Sequence, residues 1–268
     1  MTEQTVLRHL RADGVSTLIL NRPHRKNAIT LELWAALRTA LDDIAHDPTV
    51  RAVVVTGAGD AFCSGADVVD SDPYAPPFVK LQAISEVAQR LHDLALPTIA
   101  KVRGVAVGAG WNLALGCDLV VATPDAEFSQ VFARRGLSLD CGGSWLLPKL
   151  VGVQQAKRLA LLAEFIDAEE AHELGLVTWI KASEEIDEFV AEKARRLAAG
   201  PPIAMAQTKA LLNEGADRTM REALASESRA QAVNFATTDV PEAYAAFTEK
   251  RETAFTGGWN VRRPEAPR

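Results

Sequence analysis

Residues 51–59, RAVVVTGAG, form a short and nearly all-apolar run that ends in a glycine turn. A strand of that composition is buried on both faces, so the fold must supply covering layers for it. Helical segments flank it. Leu33, Trp34, Leu37, Leu41 and Ile44 recur at helical spacing, which predicts an amphipathic helix over residues 30–46 with Thr30 as its N-cap. After a polar, proline-rich loop from Asp67 to Pro77, Leu81, Ile84, Val87, Leu91 and Leu94 predict a second helix. The segments LPTIAKVRG and CDLVVATPDAEF read as further strands, and the opening VLRHL and VSTLIL, joined by Ala12-Asp13-Gly14, read as a β-hairpin. Alternating strands and helices argue for an α/β fold in which sequential strands share a sheet. Beyond residue 150 the pattern becomes helical (QQAKRLALLAE, DAEEAHELGL, DEFVAEKARRLAA, PIAMAQTKALLNEG, MREALASESRAQAV), with only LVTWI strand-like. A boundary is expected at Gly200-Pro201-Pro202, where the last helices leave the core and need a partner for their apolar stripes.

Composition narrows the function classes. With 268 residues, 48% of them hydrophobic and 24% charged, the chain can bury a large core as one big domain or a domain with an appendage. Its net charge of -6 offers no basic field for nucleic acid or an anionic membrane, so neither is expected as a partner. Three widely spaced cysteines (Cys63, Cys117, Cys141) argue against a disulfide framework and for a reducing compartment. The start, MTEQTVLRHLRADG, lacks a signal-peptide layout, and no run of about 18 apolar residues could span a bilayer; a cytoplasmic location is expected. His9, His24, His46, His92 and His172 have no ligand-type spacing, so no metal site is expected.

Two segments carry more specific signals. AFCSGADVVD (Ala61 to Asp70) follows a strand, with Gly65 permitting a tight bend; a plain strand-to-loop turn explains it equally well. In VRGVAVGAGWNLALGCDLVVA (Val102 to Ala122), Gly108, Ala109 and Gly110 fall where a strand ends and a helix begins. The first backbone N–H groups of that helix have no internal partner and favour a developing negative charge, although close helix–sheet packing would also demand small residues there. The pattern is not a dinucleotide fingerprint, since position 113 is Leu.

Taken together, the segments LNRPHRKNAIT, AFCSGADV, GVAVGAGWNLALGCDLVVA, FSQVFARRGLSLDCGGSWLLPKLVG, LGLVTWI and FTEKRETAFTGG resemble the enoyl-CoA hydratase/isomerase (crotonase) family, in the family's order and over nearly the whole chain. The resemblance implies a spiral of repeated β-β-α units over residues 1–200 that holds an acyl-CoA site. It implies a C-terminal helical region, residues 201–268, that assembles homotrimers or hexamers built as dimers of trimers. The substrate it implies is an acyl-CoA thioester; coenzyme A belongs to the substrate, and no separate cofactor is expected. By position, the thioester carbonyl would lie between the backbone N–H groups of Ala66 and Ala109, flanked by Ser64, Gly65 and Gly108. The nucleotide half would run along the turn Arg25, Lys26 and Ala28 and the backbone of Asp67 and Val68.

The same resemblance exposes a departure. Hydratases of this family use two glutamates, and the corresponding positions here are Asn112 and Phe132. Neither residue can act as an acid or a base. Eight positions beyond Phe132 stands Asp140, where isomerases of the family often carry an acidic residue, and GLSLDCGGSWLLP looks like the phenylacetate-type ring-opening isomerases. One carboxylate suffices to move a proton between two carbons while an oxyanion hole holds the enolate. Burial beside Phe132 would raise its pKa above about 3.9. Asp140 could instead cap the helix that follows, a role for which Ser144 is also available. Enoyl-CoA hydration with water held otherwise, an Asp140 nucleophile in an acyl-CoA hydrolase or dehalogenase, and a non-catalytic acyl-CoA-binding protein all stay open. Cys141 and Trp111 read as structural, and Arg134 and Arg135 as a solvated face, with Arg135 a candidate for the acyl pocket.

Overall fold

The computed structural model describes residues 7–67 and 76–260. In chain order its first strands are β1 (Leu7–Ala12), β2 (Val15–Leu20), β3 (Ala52–Gly57), β4 (Thr98–Val102) and β5 (Val105–Val107). They are followed by β6 (Leu119–Ala122), β7 (Glu127–Ser129), β8 (Ile166–Asp167) and β9 (Trp179–Ile180). The helices of the first two-thirds are α1 (Leu31–His46), α2 (Pro77–Asp93), α3 (Ala109–Leu115), α4 (Gly143–Leu162) and α5 (Ala168–Glu173). Then come α6 (Ile186–Ala198), α7 (Pro202–Gly215), α8 (Met220–Phe235) and α9 (Asp239–Glu249).

β1 and β2 are the antiparallel hairpin, turning at Asp13 and Gly14, both left-handed. Positive φ at both central residues matches the twist of the flanking strands. From β2 onward a six-stranded sheet is ordered β1-β2-β3-β4-β6-β9, and all its later neighbours are parallel. Consecutive strands part company after β4. β5 leaves to pair with β7 and β8 in a second, three-stranded sheet, because Gly104, with φ 53, turns the chain out of the first. A residue with a Cβ could not follow: that carbon would sit 2.1 Å from the Asp60 carbonyl oxygen.

The result is a repeat of one unit: a strand of the long sheet, a short extended piece beside the second sheet, then a helix. β2 leads to Ile29, bridged to Ala66, and then to α1. β3 leads to Cys63, bridged to Ala106, and the next helix is α2. β4, β5 and α3 form the next unit, and β6 and β7 run on through a short 3-10 turn to α4. These are the expected β-β-α units, each stacked on the one before.

Both faces of the long sheet are covered, as the all-buried pattern of β3 requires. One face packs against Leu33, Trp34, Leu37 and Ile44 of α1 and Val87 and Leu91 of α2. The other takes Ile186, Val190 and Ala194 of α6 over Val54, Ile99 and Val121. Each large side chain so buried contributes about 1.5–3 kcal/mol. Thr30 caps α1 by accepting from the Leu33 amide. Gly200 and Pro201 link α6 to α7, and Arg51 donates to the Gly200 carbonyl. The helix α9 has no counterpart in the sequence reading, although Val240, Ala243, Tyr244 and Phe247 recur at helical spacing; its buried positions are Asp239 and Ala246.

One buried side chain ties the first two units together. Asn27, fully buried, accepts from the Arg22 amide and donates to the Ala58 and Ala61 carbonyls at 2.9 and 2.7 Å. Its φ of 55 is a conformation asparagine tolerates better than other side chains. Asn27→Ala strands these groups at about 1–3 kcal/mol each, so a fall in the thermal midpoint of at least about 4 °C is expected by scanning fluorimetry.

Candidate active site

The two amides singled out at Ala66 and Ala109 lie on neighbouring segments. The chain from Cys63 runs alongside β5, exchanging bonds in which the Cys63 amide donates to the Val105 carbonyl and the Val107 amide to the Cys63 carbonyl. Gly65, with φ 92, brings the segment so close that a Cβ there would stand 2.9 Å from the Val107 carbonyl oxygen and 3.9 Å from the Ala109 nitrogen. Gly110 performs the same service from the helix side, its missing Cβ leaving room for the Cys63 side chain. The small residues at the start of α3 are therefore explained by this close packing. Among the described residues neither the Ala66 nor the Ala109 amide has an acceptor, while the neighbouring Gly108 amide donates to Ser129 and that of Asp67 to Ile29. Ala66 is exposed and Ala109 buried.

The Arg25–Ala28 turn sits against this edge. The Ser64 amide donates to the Lys26 carbonyl, its hydroxyl to the Arg25 carbonyl, and the Ile29 amide to the Gly65 carbonyl. Arg25 and Lys26 are exposed, whereas Ala28 is buried. The Asp67 amide donates to the Ile29 carbonyl, and its buried carboxylate accepts from Arg22 at 2.8 Å. Arg22 also donates to the Ala28 carbonyl at 2.6 Å, so the pair is an internal strut under the turn. Val68 lies outside the described residues.

Asp140 lies in the turn between the 3-10 segment Val131–Arg135 and α4. Helix capping does not explain it. The N-cap of α4 is Gly142, which receives no side-chain bond, and Ser144 lies inside the helix. The carboxylate is half-buried, its Oδ1 lies out of reach of solvent, and no described group donates to that oxygen. Burial, with no charged neighbour contributing, pushes the carboxyl up to about 6. Phe132 is buried with its ring against Gly108, where a Cβ would meet it at 3.6 Å, and so walls the start of α3. Arg135 is exposed and makes no ion pair among the described residues, while Arg134 lies over the Phe165 ring.

The Asn112 side chain is engaged within the protein. Almost fully buried, it donates to the Asp140 carbonyl at 2.9 Å and accepts from Gln130 at 2.7 Å. Gln130 escaped the sequence reading although it is the last residue of the FSQ segment. Trp111 is core, packed on Phe128. Cys141 is buried, and desolvation and the nearby Asp140 drive its thiol far above the ordinary range, so it is no nucleophile.

A cavity of about 420 Å³ opens beside the Asp140 turn, lined by Asn112, Cys141 and Gly142 and by Trp145, Leu146 and His92. His92 meets Trp145 edge to face at 5.0 Å. Its size lies within the range of small-molecule sites, about 300–1,000 Å³. A larger cavity, about 770 Å³, lies between the ends of α1 and α2 and the start of α7; its Arg90 is already paired with Asp42 and Glu86, and neither Ala66 nor Ala109 lines it.

Comparison with known proteins fits this geometry. The family model for enoyl-CoA hydratase/isomerase matches residues 11–258. The 1,2-epoxyphenylacetyl-CoA isomerase of Escherichia coli is 38% identical over 258 residues, covering 94% of this chain and 98% of its own. The crotonyl-CoA hydratase of Syntrophomonas wolfei is 33% identical over 248 residues, covering 91% and 95%. The crystal structure of an enoyl-CoA hydratase from Bacillus anthracis superposes with a TM-score of 0.90 at 30% identity, covering 94% of this chain and 99% of that one.

The raised Asp140 carboxyl has a consequence for stability. A carboxyl that holds its proton more tightly when folded makes stability fall as pH rises between about 4 and 6, and the full cost, of order 1–3 kcal/mol, stands above that window. Asp140→Asn is expected to raise the thermal midpoint at neutral pH and to lose that advantage as the pH is lowered to about 4. A variant no more stable than its parent at neutral pH would mean that the carboxylate is solvated.

Proposed function

The chain belongs to the enoyl-CoA hydratase/isomerase family, and we propose that within it this protein isomerises an enoyl-CoA by a one-base proton shuttle at Asp140. The observation that carries the reading is the half-buried Asp140 carboxylate, whose buried Oδ1 has no hydrogen-bond partner among the described residues, on a turn bonded to the same helix that begins with the Ala109 amide. The thioester oxygen is assigned to the Ala66 and Ala109 amides. Asp140 takes a proton from the carbon α to the carbonyl, the electron pair moves to the oxygen as a dienolate, and the same proton returns at the γ-carbon, leaving Asp140 ionised as at the start. Each amide aimed at the enolate oxygen contributes about 2.7–4 kcal/mol to the barrier reduction, and a positioned acid–base group about 10²–10⁴-fold in rate.

Two features favour this reaction over water addition. Asn112 and Phe132 stand where hydratases of the family carry their glutamates, and neither can deprotonate water. The Asn112 amide is also bonded at both ends within the protein. The cavity beside Asn112 and Cys141 would take the acyl tail, and its apolar and aromatic wall would keep solvent away from the dienolate. The Escherichia coli relative is named for an isomerisation and the Syntrophomonas wolfei one for a hydration.

Wild-type protein mixed with a β,γ-enoyl-CoA in deuterium oxide is expected to form the conjugated α,β-enoyl thioester, with kcat rising through about pH 6. Asp140→Asn is expected to lower kcat by at least about 10²-fold. Crotonyl-CoA hydration that is fast in the wild type and survives Asp140→Asn would replace this reading with hydratase activity. A covalent acyl adduct of Asp140 seen by mass spectrometry would replace it with nucleophilic catalysis.

The C-terminal helices support self-association. Leu212, Met220 and Phe247 are 73%, 76% and 85% exposed, on three successive helices. Apolar exposure on that scale marks an interface. We assign it to a homotrimer or a hexamer of the 28.9 kDa chain. Sedimentation of a monomer at micromolar concentration would remove that assignment.

A further inference from the structure

We infer that Asn112 is a positioning residue that aims Asp140 at the substrate and fixes it relative to the oxyanion donors, with Gln130 holding Asn112 in turn. The inference rests on the reading of Asp140 as the base. Three bonds carry it. The Asn112 side-chain amide donates to the Asp140 carbonyl at 2.9 Å, the Gly143 amide donates to the same oxygen at 2.9 Å, and the Gln130 amide donates to the Asn112 oxygen at 2.7 Å.

The orientation of this chain leaves no choice. A peptide carbonyl only accepts, so the NH₂ of Asn112 must face Asp140 and its oxygen must face away. Gln130 then has to present its NH₂ to that oxygen, and its own oxygen is left over, buried and without a partner. Flipping either amide would set two acceptors face to face. With both lone pairs of the Asp140 carbonyl taken, the peptide plane that follows it is fixed, and the carboxylate keeps only its own side-chain torsions.

The turn needs such fixing. Cys141 and Gly142 are both left-handed, with φ of 49 and 78. For a cysteine that conformation is unfavourable unless the surroundings impose it. Gly143 leaves the space the clamp occupies: a Cβ there would lie 2.4 to 2.7 Å from the Asn112 side-chain amide. Asn112 also lies one helical turn from the start of α3, and its main-chain amide donates to Gly108 at 3.0 Å. A single residue is thus bonded through its backbone to the turn that carries the Ala109 amide and through its side chain to the turn that carries the base.

The test is steady-state isomerisation by the full-length protein across pH 5 to 9, for the wild type, Asn112→Ala, Asn112→Asp and Gln130→Met. Small misplacement of a reacting group costs up to about 10²-fold in rate, so Asn112→Ala is expected to lower kcat by about 10- to 100-fold with KM changed less than about threefold. The acid limb of kcat is expected to move to lower pH, because a released carboxylate is better solvated. Asn112→Asp keeps the shape and the bond from Gln130 but turns an oxygen toward the Asp140 carbonyl; it is expected to lose kcat likewise, and it serves as the measurement if the alanine variant does not fold. Gln130→Met should show a smaller loss in the same parameter. Folded Asn112 variants with wild-type kcat and an unmoved acid limb would overturn the inference, and so would a rise in KM at constant kcat, which would make Asn112 a ligand of the substrate. Asp140→Asn separates the two levels. If that variant stays active the base assignment itself fails, whereas an inactive Asp140→Asn beside active Asn112 variants removes only the clamp.

Discussion

The approach of the Cys63–Asp67 segment to the first turn of α3 is the contact on which the rest of the site depends. It brings two backbone amides from different units of the spiral to one edge and leaves both without acceptors among the described residues. Three glycines permit it. Gly65 clears the Val107 carbonyl, Gly108 takes a φ of 56, and Gly110 makes room for Cys63. The donors are main-chain groups, so their identity as Ala66 and Ala109 is secondary to their placement. Helix starts carry partial positive charge in any case; the adjacent segment brings a second N–H without an acceptor among the described residues.

Around that edge the chain spends its buried polar groups on scaffolding. Asn27 braces the turn after β2, the Arg22–Asp67 pair underlies the same turn, and the Gln130–Asn112 chain fixes the turn beyond Phe132. The Asp140 carboxylate is not bonded in this way. Its Oδ1 is buried and unbonded, and burial raises its carboxyl to about 6. A group that costs stability where it stands is the pattern expected of a functional site, where local strain is tolerated for what it does. The raised value also keeps the carboxylate ionised at neutral pH while making it a stronger base than a solvated aspartate.

Much of the fold could be read directly from residue patterns. The period of α1, its Thr30 cap, the Asp13-Gly14 turn and the unbroken apolar run of β3 each depend on neighbours in sequence, and each took the expected form. Elements stabilised by contacts distant in sequence were harder to see. The second sheet is built from two- and three-residue pieces too short to show alternation. Nothing in the motif signalled that the Asp67 carboxylate would be buried against Arg22, 45 positions earlier. Gln130 was visible as a letter in FSQ but carried no sign that its amide would meet a residue 18 positions earlier.

The sequence by itself determined the kind of protein this is: its family, the helix start at Ala109, and the absence of glutamate from positions 112 and 132, since these depend on residue identity and local order alone. It also nominated Asp140 without being able to choose between cap and base. The tertiary structure decided that question against the cap. Whether a carboxylate meets a donor, and how much water it keeps, depends on which chain segments close around it. Here the turn is held by Asn112 from another unit of the spiral, and the carboxylate is left half-buried with Oδ1 unpaired.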